Sequence, residues 1–322
     1  MKLRHLIAFV IAWFSVWVPV CAMAKNGFDL SNAVIPEHEI KRGGPPRDGI
    51  VALTSPTFVA AVEAEFVRPD ERVLGVVVAD QAKAYPLRML AVHEIVNDVV
   101  GQQHFAVTYC PLCGTGIVFA ANLPGTGALN FGVSGLLYNS DLLMYDRNTE
   151  SLWSQISATA VAGPLVGVAL PRLPVWHTTW RDWLATHPHS VVMQGSPRFK
   201  AMYRRDLYPG YARSKRLYFD VSHRAPREYH PKEFVLGVEI AGQFKAYPFS
   251  ELVRYERAEF LDTVGGLQIE VVWDADNQSA EARSMDGGVL VSTMSYWFAW
   301  YTFHPETHVF RAVPSSAAEA VR

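Results

Sequence analysis

Residues 74–86 read LGVVVADQAKAYP, and residues 236–248 read LGVEIAGQFKAYP, identical at nine of thirteen positions. In the first, Arg72–Val78 is β-branched and apolar, Asp80-Gln81 is a turn pair, and Ala82–Tyr85 returns as a short strand. That is the signature of a hairpin. The likeness continues outward in the same order. Ser55-Pro56-Thr57-Phe58 has a partner in Ser196-Pro197-Arg198-Phe199, HFAVTY (104–109) in LQIEVVW (267–273), and Asn148–Trp153 in Pro305–Phe310. Ordered matches predict a duplication. The expected fold is therefore α+β and β-rich, with two pseudo-repeated α+β units packed together, over 50–160 and 191–312.

The whole chain divides into a signal peptide at 1–24, an extended Pro/Gly-rich segment at 25–49, a first repeat with connector at 50–190, and a degenerate second repeat at 191–322. Within the first, Ser55-Pro56 followed by Phe58, Val62 and Phe66 at i, i+4 predicts a helix, and Thr178–Leu184 predicts a short capped helix on the connector. The N-terminus supplies a basic start (Lys2, Arg4, His5), an apolar run at 6–20 and an Ala22-Met23-Ala24 cleavage site. This predicts export to the periplasm or beyond, with no membrane span after cleavage. A formal charge of -2 gives no basis for binding nucleic acid.

Export leaves two cysteines, Cys110 and Cys113, in Tyr109-Cys110-Pro111-Leu112-Cys113-Gly114. Two cysteines cannot staple a scaffold, so the pair asks for a local explanation. A Cys-Pro-x-Cys-Gly turn leaving a strand is similar to the metal knuckles of zinc ribbons, with Gly114 free to take a positive φ. One knuckle supplies two ligands, and His93 is the leading third, with Glu94, His104 and Met144 behind it. Two thiolates with imidazole or thioether suit copper or zinc. A metal-free thiol–disulfide pair and a structural disulfide are the competing readings. The β-branched sequel Gly114–Ala120 is a strand, unlike the helix that activates thioredoxin-type cysteines.

On a helix, His93, Glu94 and Asn97 of HEIVND would share a face, with His93 as ligand or base. Asn139 and Asp141 of Tyr138-Asn139-Ser140-Asp141 would line a polar pocket. Gly132-Val133-Ser134-Gly135 is one residue short of a nucleophile elbow. The second unit carries Trp273-Asp274-Ala275-Asp276-Asn277 where the first has its cysteines, Tyr255 near His93, and Ser295-Tyr296-Trp297-Phe298 near the polar run. The first unit is therefore the working one. Arg198–Arg216, basic with Phe199, Tyr203, Tyr208 and Tyr211, is read as a solvated insertion.

In AYPLRML, HEIVND, VTYCPLCGTG, FGVSGLLYNSDLLMYDRNTESLWSQ and TTWRDWLATHP the chain resembles a bacterial family, domain of unknown function 3179, from Ile50 to at least Val191. The resemblance implies an exported protein built around the Cys-Pro-x-Cys turn and brings no activity with it. The expected function is transition-metal binding through Cys110, Cys113 and His93, copper before zinc, with redox catalysis at the metal as an extension. Glu94, Asn139 and Asp141 would support the site, and a small molecule or metal-donor protein would be the partner.

Overall fold

The structure is a computed structural model, and it describes residues 24–312. Its content is 42% strand and 13% helix. The expected pair of α+β units is not there. Five sheets of three to five strands instead form the five blades of a β-propeller. The helices are too short to make an α layer. Each of the four, α1 (Leu87–His93), α2 (Trp180–Thr186), α3 (Phe249–Tyr255) and α4 (Trp297–Phe303), has seven residues and follows a blade strand.

The blade that carries the cysteines orders its strands as Arg172–Leu173, Thr115–Ala120, Gln103–Cys110, Ile95–Val100 and Leu53–Thr54. A second blade runs Thr159–Ala162, Leu152–Ser154, Asp141–Asp146, Phe131–Tyr138 and Ile40–Arg42. The two share a core in which Ile117 and Phe119 of one pack with Phe131, Met144 and Trp153 of the other. On its other side the cysteine blade packs Val96, Val107 and Val118 against Leu74, Val76 and Tyr85 of the 72–86 hairpin. Each such side chain contributes about 1.5–3 kcal/mol on leaving water. The 72–86 blade meets the blade of Glu259–Val264, Leu267–Asp274 and Ser279–Ser284 through Thr179, whose hydroxyl lies 2.6 Å from the Asn277 side-chain oxygen. That blade shares a core with the 234–248 hairpin, whose α4 returns to the second blade by an edge contact of Phe303 on Tyr138, ring centroids 5.5 Å apart.

The likeness between 74–86 and 236–248 is thus a likeness of hairpins, with the first turn at Ala79-Asp80, one residue before the expected Asp80-Gln81, and the second at the equivalent Ala241-Gly242. Each has a glycine under a tryptophan. A Cβ on Gly75 would lie 2.2 Å from the Trp183 ring, and one on Gly237 2.2 Å from the Trp300 ring. Strand-to-helix corners at Thr179-Trp180 and Tyr296-Trp297 deliver those rings. Ser295–Phe298 is therefore the geometric equivalent of Thr178–Arg181, and the expected match to Tyr138–Asp141 is corrected. The latter belongs to a blade that the second stretch lacks, because Trp273 and Asp274 pass by a short turn into Ser279 and no comparable insertion follows.

Two helix readings also change. Phe58–Ala60 is a strand paired with Val191–Met193, and Val62 is exposed, so the i, i+4 spacing there marks a sheet edge followed by a single 3-10 turn. In HEIVND the helix stops at His93. Glu94 takes φ +57°, and Ile95–Val100 runs on as a strand, as its β-branched residues favour. Thr178–Leu184 does hold a capped helix, with the Thr179 hydroxyl accepting from the Asp182 amide. The signal-peptide reading lies almost wholly outside the described residues. Among those described, no helix is long and apolar enough to cross a membrane.

Candidate metal site

Two turns from different blades build the site. In the first, Cys110 ends a strand, the Cys113 amide donates to the Cys110 carbonyl at 3.2 Å, and Thr115 opens the return strand opposite Cys110. Gly114 has φ +61°, and a Cβ there would lie 2.9 Å from the Phe234 ring, so the turn requires glycine twice over. In the second, Tyr138 pairs directly with Asp141, and Asn139 (φ +54°) and Ser140 (φ +65°) form the two-residue loop between them. Consecutive positive φ values are those of a type I′ hairpin turn, for which Asn is well suited and Ser is not.

That turn aims the Ser140 carbonyl at the sulfurs, accepting from the Cys113 thiol at 3.4 Å and from the Cys110 thiol at 3.9 Å. It also brings in Asp141. One ligand atom each from Cys110, Cys113 and Asp141 lie within 4.8 Å of one another, all three residues buried. Both cysteines are free. The Asp141 Oδ2 accepts from the Ile156 amide at 3.1 Å, whereas Oδ1 is buried without a hydrogen-bond partner.

Burial dominates the electrostatics. It raises the thiols of Cys110 and Cys113, pushes Asp141 up to about 7, and, with help from the Asp141 charge, pushes Glu94 up to about 8. Glu94 and Asp141 in turn act on Cys110. The site is a pocket of acids held close together in low dielectric. Three of them have the spacing, and the donor types, to hold a metal ion.

The other residues expected in the site are placed as follows. His93 is buried with both ring nitrogens engaged, Nδ1 with the Val51 carbonyl and Nε2 with the Tyr203 hydroxyl, each at 2.7 Å. It stands outside the Cys-Cys-Asp group. Asn139 turns away and clasps a distant segment, its Oδ1 accepting from the Ser222 amide at 2.7 Å and hydroxyl at 2.8 Å. Asn97 ties blades together through Phe131, and His104 is exposed. The Ser134 hydroxyl is bonded within its own hairpin, to the Leu143 carbonyl and the Leu136 amide.

The residues that the sequence reading missed lie in the stretch taken as a solvated insertion. Tyr203 and Tyr211 are buried, and Tyr211 packs in the same core cluster as the cysteines. Its hydroxyl is buried and unpartnered. The Lys232 ammonium lies 3.7 Å over the Tyr211 ring and donates to the Ser214 and Arg216 carbonyls. With the Ser140 hydroxyl on the Phe219 carbonyl, this straps residues 208–222 across the site. The available signal is the recurrence of Phe199, Tyr203, Tyr208 and Tyr211 among the arginines.

Residues 47–293 match the family described as Protein of unknown function (DUF3179). No curated protein and no solved structure matches the chain.

Proposed function

The chain belongs to that family, and we propose that it is an exported metal-binding protein whose ion is held by Cys110, Cys113 and Asp141. The observation that carries this reading is an Asp141 carboxylate within 4.8 Å of two free thiols, with its Oδ1 buried and without a hydrogen-bond partner. An orphaned carboxylate oxygen costs about 1–3 kcal/mol or more, and a cation in its path removes that cost while stabilising both thiolates. Two thiolates and a carboxylate bring three negative charges and leave a fourth tetrahedral position for water, substrate or Glu94. A carboxylate in place of imidazole or thioether makes the donor set harder, which favours zinc over copper(I). The small molecule or metal-donor protein that meets the site would do so at that fourth position.

The neighbouring free thiols favour one alternative, a metal-free dithiol couple. Their burial argues against it, because an attacking sulfur needs thiolate character and access. Purifying the mature protein from the periplasm and measuring metal and free thiols together separates the two. Stoichiometric metal that disappears in Cys110→Ser, Cys113→Ser and Asp141→Asn supports the proposal. Absence of metal together with a reversibly oxidised pair rejects it in favour of the couple.

A further inference from the structure

A cavity opens beside Tyr203, the residue whose hydroxyl meets the His93 Nε2. It is an open groove of about 670 Å³, lined by Phe66, Met89 and Pro197 and by the cations Arg68, Arg88, Lys200 and Arg204. This volume is within the range of sites for small organic ligands. The charge balance is one-sided. Glu71, the acid of the lining, is already taken by Arg88, whose Nε lies 2.5 Å away. Arg68 pairs only with exposed Asp70 at the rim, and Lys200 and Arg204 form no ion pair among the described residues.

The wall of the groove is fixed in advance. The Val51 carbonyl can only accept, so the His93 Nδ1 carries the proton, and its Nε2 accepts from the Tyr203 hydroxyl. The Tyr203 oxygen then accepts from the Ser196 amide at 3.1 Å. Arg88 is held a second time, donating to the Phe66 carbonyl at 2.8 Å. Side chains locked in this way lose little freedom when a ligand arrives.

We propose that this groove binds a small organic anion with an apolar body, its acid group facing Lys200, Arg204 and Arg68 and its body lying on Phe66, Met89 and Pro197. This ligand is independent of the metal reading, because no residue of the groove is a member of the Cys-Cys-Asp group.

The test uses octanoate as probe, with 1-octanol and inorganic phosphate as controls, by titration calorimetry on the full mature protein. Octanoate is expected to bind saturably, at least about tenfold more tightly than either control. Lys200→Glu with Arg204→Glu, both exposed, is expected to weaken octanoate by a similar factor while thermal midpoint and metal content stay unchanged. Equal binding of octanol would overturn the anion requirement, and equal binding of phosphate the apolar body. Undiminished octanoate binding in the double variant, or no saturable binding at all, would reject the site.

Discussion

The Ser140 carbonyl stands 3.4 Å from the Cys113 sulfur, across two blades. The next residue, Asp141, therefore enters the cysteine turn as a consequence of hairpin geometry. Asp141→Asn keeps the shape and removes the charge. Zinc affinity should fall by about two orders of magnitude or more, as for loss of a metal ligand or its close support, while the metal-free protein stays folded. Competition against a chromophoric chelator measures the first and circular dichroism the second. Unchanged zinc affinity would remove Asp141 from the site.

The buried acids also set a pH dependence. Asp141 rises from 3.8 to about 7 and Glu94 from 4.5 to about 8 on folding. Between the unfolded and folded values the folded chain binds more protons than the unfolded one, so metal-free stability falls as pH rises. Each group contributes a slope of at most about 1.4 kcal/mol per pH unit. Urea unfolding of the metal-free protein from about pH 5 to pH 8 should show this decline. Glu94→Gln with Asp141→Asn should flatten it, and saturating zinc should reverse it in the unaltered chain, because an ion held by two thiolates displaces protons that the unfolded thiols keep. An identical slope in the double variant would show that other groups set the pH dependence.

Tyr211 has a buried hydroxyl with no partner, beside the thiols in one core cluster. Tyr211→Phe should stabilise the metal-free protein by about 1 kcal/mol, since an unsatisfied polar group costs about 1–3 kcal/mol. If the phenol meets the ion or its water, the gain vanishes or reverses with zinc bound. Denaturant titrations with and without zinc give both values. A gain of the same size in both states would leave the phenol no part in the site.

Lys232 holds the strap through the Ser214 and Arg216 carbonyls and the Tyr211 ring. Lys232→Met keeps the apolar stem and removes all three contacts. Reaction of Cys110 and Cys113 with a disulfide reagent should speed up by about tenfold or more as local opening becomes easier, and hydrogen exchange should rise over 208–222 and not across the blade strands. Faster exchange throughout would mean that the lysine supports the whole fold.

The cysteine turn, the hairpins and the capped helix at Thr178–Leu184 were legible because their signals are local: residue type, alternation and a positive-φ glycine. The blade arrangement was not. Whether a hairpin-helix unit closes on itself or feeds a ring depends on which sheet edge takes Val191–Met193, and that pairing spans more than a hundred residues. The site divides in the same way. Cys110 and Cys113 announce themselves by spacing, and Asp141 was named as a support for the site. That Asp141 reaches the sulfurs while His93 bonds to Val51 and Tyr203 is decided by the φ values of Asn139, Ser140 and Glu94, three non-glycine residues in the left-handed region. Propensity does not foresee such positions. Tyr211 is hidden in the sequence because its stretch is rich in charge and nothing in the residue types marks it as the tyrosine that turns inward.

The repeated Lys-Ala-Tyr-Pro supplies the last prediction, since each copy meets an aspartate from the next blade at a different depth. Lys83 and Tyr85 converge on Asp98 at 2.5 and 2.6 Å, with Lys83 and Asp98 almost wholly buried. Lys245 and Tyr247 converge on Asp262 at 2.7 and 3.0 Å, about one-fifth exposed. Removing one partner of a buried pair strands the other charge, at about 3–5 kcal/mol, whereas water can solvate a stranded charge nearer the surface. Asp98→Ala should therefore cost about 3–5 kcal/mol, and Asp262→Ala about 1–2 kcal/mol, little more than a partly exposed pair and one hydrogen bond. Adding Lys83→Met to Asp98→Ala should recover much of the first loss, because no unpaired charge then remains. Equal losses for Asp98→Ala and Asp262→Ala, or no recovery in the double variant, would show that the cost lies in lost packing and not in the stranded ammonium.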